Sequence, residues 1–126
     1  MSIGKRHNYK NLKIWQLTLE IANNISGILL NFPTHEKYSL NSQISRCSIS
    51  IPSNIAEASN RNNIHFKHFL NIAFGSSFEI QTQILITKQN NYISEIQTTE
   101  IENKIVELQK MISGFIKRLD SQNLSS

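Results

Sequence analysis

The sequence predicts an all-α protein, an antiparallel up-down-up-down four-helix bundle whose second helix is kinked at Pro52. Three observations predict it. Four segments of roughly 20 residues carry apolar side chains at the spacing of a helix. Short turns separate them at Phe32-Pro33-Thr34, Asn60-Arg61-Asn62-Asn63 and Asn90-Asn91. The chain, at 126 residues, is long enough for one real core and too short for two. Each helix would run about 30 Å at 1.5 Å per residue, and short connections favour antiparallel neighbours.

Residues 1–10 read as a flexible basic tail, 11–120 as the bundle domain and 121–126 as a polar tail. The first helix is expected from Leu12 to Phe32. Leu12, Trp15, Leu19, Ala22 and Leu29 fall on one stripe; Ile14, Leu17, Ile21, Ile25, Ile28 and Phe32 fall on a second, nearly opposite. A surface helix needs one apolar face, so this one should be covered from two sides. Pro33 stops it, because the residue before a proline is pushed out of the α region.

The second helix is expected from Ser39 to Asn60, with Leu40, Ile44, Cys47, Ile51, Ile55 and Ala58 on its apolar stripe. Pro52 removes one backbone hydrogen bond and collides with the preceding turn, at about 3 kcal/mol. The stripe keeps its register through Pro52, which favours one kinked helix over two short ones. Ser48, Ser50, Ser53 and Asn54 offer groups for the freed backbone carbonyls.

Asn63 is the expected N-cap of a third helix, from Ile64 to Gln89. Phe66, Phe69, Leu70, Ala73, Phe74, Ser77, Ile80 and Ile84 form a wide face, yet Ile72, Phe78, Leu85 and Ile86 lie outside its centre. Gly75-Ser76-Ser77 is a small-residue patch that another helix could approach closely. The fourth helix is expected from Thr99, where Thr99-Glu100-Ile101-Glu102 fits a capping box, to Leu119. Ile101, Ile105, Leu108, Ile112, Phe115 and Leu119 make a single heptad seam, so this helix needs one covered face only.

The surplus apolar surface on the first and third helices predicts a homo-oligomer. Its interface would draw on Ile14, Leu17, Ile21, Ile25, Ile28, Ile72, Phe78 and Ile86. With 39% hydrophobic and 17% charged residues the chain is a folded, weakly charged one. Its net charge of +4 favours an acidic partner, though modestly. The single cysteine, Cys47, excludes an internal disulfide and reads as a buried residue in a reducing compartment. No signal peptide or membrane span is apparent, so a cytoplasmic location is expected.

Four segments carry a resemblance to a known family. Tyr9-Lys10-Asn11-Leu12-Lys13-Ile14-Trp15-Gln16 is similar to its N-terminal F-x-x-L-x-V-W-Q signature. Residues Tyr38–Arg46 resemble Y-x-L-x-x-Q-I-x-R, and Ser50–Glu57 resemble S-I-P-x-N-I-A-E. Phe69–Gln83 is similar to F-L-x-x-A-x-G-S-x-x-E-x-x-T-Q. The family is that of the four-helix-bundle proteins encoded in 23S rRNA intervening sequences, which includes the accessory proteins of diversity-generating retroelements. The resemblance spans about residues 9 to 119. It implies a homopentameric barrel, RNA or DNA binding through a basic surface, and, for the retroelement members, a reverse transcriptase partner. Where the family carries a glycine and a run of Arg and Lys, this chain has Ala58-Ser59-Asn60-Arg61-Asn62-Asn63. That departure weakens the basic surface.

No local pattern points to catalysis, a cofactor or a metal. His65 and His68 lie on one helical face at a spacing seen in metal sites, but solvated histidines are the commoner reading. Glu100, Glu102 and Glu107 read as the outer face of the fourth helix. Lys13, Arg46, Arg61, Lys67, His68 and Lys88 are the candidate nucleic-acid contacts. Such contacts would be salt-sensitive and blind to sequence, and an oligomer would repeat them in every protomer. Arg46 has a competing structural reading, an ion pair with Glu57 or Glu79. Pro52, Asn54, Glu57 and Gly75 read as structural. The function expected is therefore non-enzymatic: a self-assembling bundle with weak, sequence-independent RNA or DNA binding. The alternatives are a scaffold with no nucleic-acid role and a retroelement accessory protein.

Overall fold

The computed structural model describes residues 8–125, and among them it contains four α-helices and no strand. α1 spans Lys13–Leu29, α2 Leu40–Ala58, α3 Asn63–Gln89 and α4 Glu95–Ser125. They form a four-helix bundle. α1 packs on α2 and α4, α3 packs on α2 and α4, and α1 does not approach α3 among the described residues. α1 and α3 therefore occupy opposite corners. Lys67 near the start of α3 pairs with Asp120 near the end of α4 at 2.6 Å. Lys88 near the end of α3 reaches Glu95 at the start of α4 at 3.7 Å.

The core is an isoleucine-rich column. Ile101, Ile105, Leu108, Ile112 and Leu119 of α4 are buried, with Phe115 packed beside them, which is the seam its heptad spacing predicts. α1 differs from expectation in which stripe faces inward. Ile14, Ile21, Ile25 and Ile28 are all buried in the protomer's own core. Leu17 packs half-buried against it. The four isoleucines are used inside the protomer and leave no surface for an oligomer interface, whereas Leu17 keeps part of its side chain at the surface. Of the other stripe, Trp15 and Leu29 are half-buried and Leu19 is exposed.

Element ends shift for identifiable reasons. α1 closes at Leu29, because tight bonds from Asn31 N to Ile28 O and Phe32 N to Leu29 O turn the chain ahead of Pro33. The N-cap of α3 is Asn62 rather than Asn63, its side chain accepting from His65 N at 3.0 Å. Asn91, at φ 62°, ends α3. Its N–H donates to Lys88 O at 2.9 Å, and Tyr92 N donates to Thr87 O at 3.1 Å. That pairing is a Schellman motif, with asparagine taking the left-handed position.

The capping box of α4 is Ser94 with Gln97, not Thr99 with Glu102. Ser94 N donates to Gln97 Oε1 at 3.0 Å and Gln97 N to Ser94 Oγ at 3.1 Å. Ile93 is already buried, so the chain has entered the bundle before Thr99. Nor does α4 stop at Leu119. The sequence beyond Leu119 holds no proline or glycine, and the helix runs on to Ser125 through the expected polar tail. Of the expected basic tail, residues 1–7 lie outside the described residues. Tyr9–Asn11 form a 3-10 turn, and the Tyr9 ring meets Trp15 edge-on at 5.2 Å.

α2 continues through Pro52, which is buried. Ser48 Oγ donates to Ser45 O, Ser53 Oγ to Ile49 O and Asn54 Nδ2 to Ser50 O, all within 2.9 Å. None of the three reaches the carbonyl of Ser48, the one that Pro52 leaves without its helical donor. The serine-rich flank thus supports the turns on either side of the gap rather than the gap itself.

Candidate functional site

α2 and α3 share the most extensive helix packing in the molecule. Their seam opens outward into a polar notch of about 450 Å³, lined by Gln43, Arg46, Cys47 and Ser50 of α2 with Ser76 and Glu79 of α3. The buried Cys47 thiol forms its floor and donates to Ser76 O at 3.3 Å. Burial, and then the nearby Glu79 charge, push that thiol up to about 11, so it stays protonated at neutral pH. Glu57, a candidate partner for Arg46, is bound instead to Arg61 one helical turn along α2. Arg46 and Glu79 share the notch, and neither forms an ion pair among the described residues.

The other basic candidates do not converge. Arg61 pairs with Glu57 and lies over the Phe69 ring at 5.6 Å. Lys67 pairs with Asp120 and Lys88 with Glu95. His68 is exposed, edge-on to Phe69 at 5.3 Å. Lys13, at the first turn of α1, is exposed. Three of the six cations are thus matched by a carboxylate, and Lys13, Arg46 and His68 sit on three different helices. His65 and His68 gain no third ligand: no group of three or more His, Cys, Asp or Glu able to hold a metal exists among the described residues.

A more coherent feature is apolar. On α3, Ile72, Phe78, Leu85 and Ile86 are 39–47% exposed and follow the outer face for more than three turns. Phe78 is steadied by Phe74, edge-on at 5.0 Å. Of the eight interface candidates, these outer positions Ile72, Phe78 and Ile86 are the ones left exposed. Gly75 lies among them, exposed, and a Cβ added there would meet nothing within 4 Å. The close helix approach expected at Gly75-Ser76-Ser77 is therefore not made within the protomer at Gly75. Ser77 alone is fully buried, its hydroxyl donating to Phe74 O at 2.6 Å. A mid-helix glycine costs about 1 kcal/mol against alanine. Gly27 and Gly114 have the same open space around them.

A groove of about 310 Å³ of mixed character lies between α1 and α2, lined by Leu19, Ala22, Asn23, Ser26 and Leu29 of α1 and by Ser45, Ser48, Ile49, Pro52 and Ser53 of α2. Ile49 stands 58% exposed at its rim. The sequence reading missed Ile49. It falls on the side of α2 away from the Ile44–Ile51–Ile55 stripe, and that position was the available signal. The reading also passed over Gln83, which is buried on α3 with its Oε1 unpartnered.

Comparison with known proteins now places the chain. The family model for 23S rRNA-intervening sequence proteins matches residues 10–114. The chain belongs to the 23S rRNA-intervening sequence protein family. A crystal structure of a protein of unknown function from the S23 ribosomal protein family of Bacteroides thetaiotaomicron is similar, with a TM-score of 0.76 at 27% identity. The likeness covers 82% of this chain and 98% of that one. No curated protein matches. The intervening-sequence family match takes in α1, α2, α3 and most of α4, so the notch, the groove and the outer face of α3 all lie inside it. No helix among the described residues is long and apolar enough to cross a membrane.

Proposed function

We propose that this intervening-sequence family protein is a self-assembling, non-enzymatic scaffold built from an up-down-up-down bundle. The observation that carries the reading is the outer face of α3, where Ile72, Phe78, Leu85 and Ile86 remain exposed on one helix. A folded monomer rarely leaves so coherent a stripe uncovered. The antiparallel order is supported by the α3–α4 pairs, Lys67 with Asp120 at one end and Lys88 with Glu95 at the other. A bend of α2 at Pro52 is supported by the missing donor there and by hydroxyl back-bonding beside it. The protonated, buried Cys47 thiol fits a reducing, cytoplasmic setting. Light scattering at micromolar concentration tests the reading: a mass several times the 14.5 kDa protomer is expected, and a monodisperse monomer overturns it.

Nucleic-acid binding is the second reading, favoured by Arg46 and Lys13, which form no ion pair among the described residues. Repetition around an assembly would multiply two weak phosphate contacts into one usable surface. Affinity for structured RNA that falls steeply as salt rises from low to moderate supports this; no binding at low salt removes it. A reverse transcriptase partner would draw on the same basic surface.

A further inference from the structure

Arg46 and Glu79 stand on the two walls of the α2/α3 notch, carry opposite charges and form no ion pair among the described residues. Elsewhere the same molecule closes such pairs: Glu20 with Lys104, Glu57 with Arg61, Lys67 with Asp120 and Lys88 with Glu95. Here the walls leave about 450 Å³ of open notch, a volume in the range of small-molecule sites. The lining between the two charges is neutral. Cys47 Sγ donates to Ser76 O at 3.3 Å across the floor, and Gln43 and Ser50 add an amide and a hydroxyl. Ser50 Oγ accepts from Asn54 Nδ2 at 3.1 Å, which leaves its own proton to donate.

We propose that this notch binds a free α-amino acid, with the ligand carboxylate on Arg46 and its ammonium on Glu79. A guanidinium takes a carboxylate through two parallel charge-assisted bonds, and a carboxylate takes an ammonium at short range. A zwitterion brings both partners a few atoms apart. A simple anion such as phosphate would meet Arg46 but leave Glu79 repelling it, and a simple amine would meet Glu79 but be repelled by Arg46. The pair thus selects for a ligand of both signs and against a ligand of either one. Because the notch opens outward, the ligand side chain stays at its mouth, and the site reads the zwitterionic head rather than one side chain. The proposal needs neither self-assembly nor nucleic acid.

Saturation-transfer NMR on the full chain observes the ligand whatever the mass of the protein, and free alanine is the probe. Alanine is expected to bind saturably. N-acetylalanine, which lacks the ammonium, and alaninamide, which lacks the carboxylate, are each expected to bind about tenfold more weakly or worse. Arg46→Gln should abolish the preference for alanine over alaninamide, and Glu79→Gln the preference over N-acetylalanine. Both positions are exposed, and helical circular dichroism checks that each variant folds; the analogue series on the wild type needs no variant. Inorganic phosphate should bind the wild type more weakly than alanine does, and should gain affinity in Glu79→Gln. The proposal is overturned if alanine shows no saturable binding, if either analogue binds as tightly as alanine, or if Glu79→Gln leaves alanine affinity unchanged. Phosphate binding more tightly than alanine also overturns it, and gives Arg46 to the nucleic-acid reading instead. None of these results changes the mass by light scattering, so the self-assembly reading stands or falls separately.

Discussion

α1 and α3 are alike in sequence and unlike in the folded molecule. Both carry apolar residues on two faces. In α1, one face is the core; of the other, Trp15 is half-buried with Tyr9 edge-on against it, and Leu19, Ala22 and Leu29 line the groove beside α2. In α3, one face is the core and the other stays at the surface from Ile72 to Ile86. Surplus apolar periodicity thus identifies a helix that must be covered twice without saying by what.

The largest effect should come from contrasting the two faces of α3. Leu70→Ala, at a fully buried position, is expected to lose about 2–5 kcal/mol of protomer stability in urea unfolding. Phe78→Ala on the outer face should change it by less than about 0.5 kcal/mol while lowering the assembled mass. Equal losses at the two sites would show that the outer face is protomer core, and the comparison would fail. For α1, Trp15→Ala removes the half-buried ring that Tyr9 meets edge-on and should cost about 1–2 kcal/mol without altering assembly. A change in mass rather than in stability would move that stripe to the interface.

Pro52→Ala restores a helical donor and removes part of a groove wall. The fold should stay intact, with stability within about 1 kcal/mol of the wild type; a variant that does not fold would make the proline an architectural requirement. The smallest effect is electrostatic and concerns the loop after α1. Hydrogen bonds from Ser39 and Tyr92 hold the Glu36 carboxyl below its ordinary range. A lowered folded value means the contribution is fully present above about pH 4.3, the unfolded value, and is lost as pH falls through the folded one. Tyr92→Phe should flatten the acid end of a melting-temperature profile against pH. An unchanged profile would mean that the contact does not hold the two loops together.

Much of the fold was legible because helical periodicity is set locally. The α4 seam from Ile101 to Leu119 needs no partner to be recognised. Caps were harder, since Asn62 and Asn63 are chemically identical candidates and only the chain path selects one. Likewise, Thr99–Glu102 and Ser94–Gln97 both satisfy the capping pattern, and the burial of Ile93 decides between them. The site was less legible still. A sequence shows that Arg61, Lys67 and Lys88 are cationic but not that Glu57, Asp120 and Glu95 lie beside them. It shows two stripes on α1 but not which one turns inward, because both are equally apolar.

Cys47 closes the α2/α3 seam with the only thiol in the chain, buried and protonated. Cys47 is 7% exposed at the floor of the notch, so a thiol reagent gains full access to it when the two helices part. Its labelling rate is therefore a clock for that opening event, wound into the molecule without any engineered probe. When opening is slower than labelling, the rate stops depending on reagent concentration and reports the parting of the seam directly. Read in isolated protomers and in assemblies, the same clock would show whether docking at the outer face of α3 stiffens the helix pair behind it.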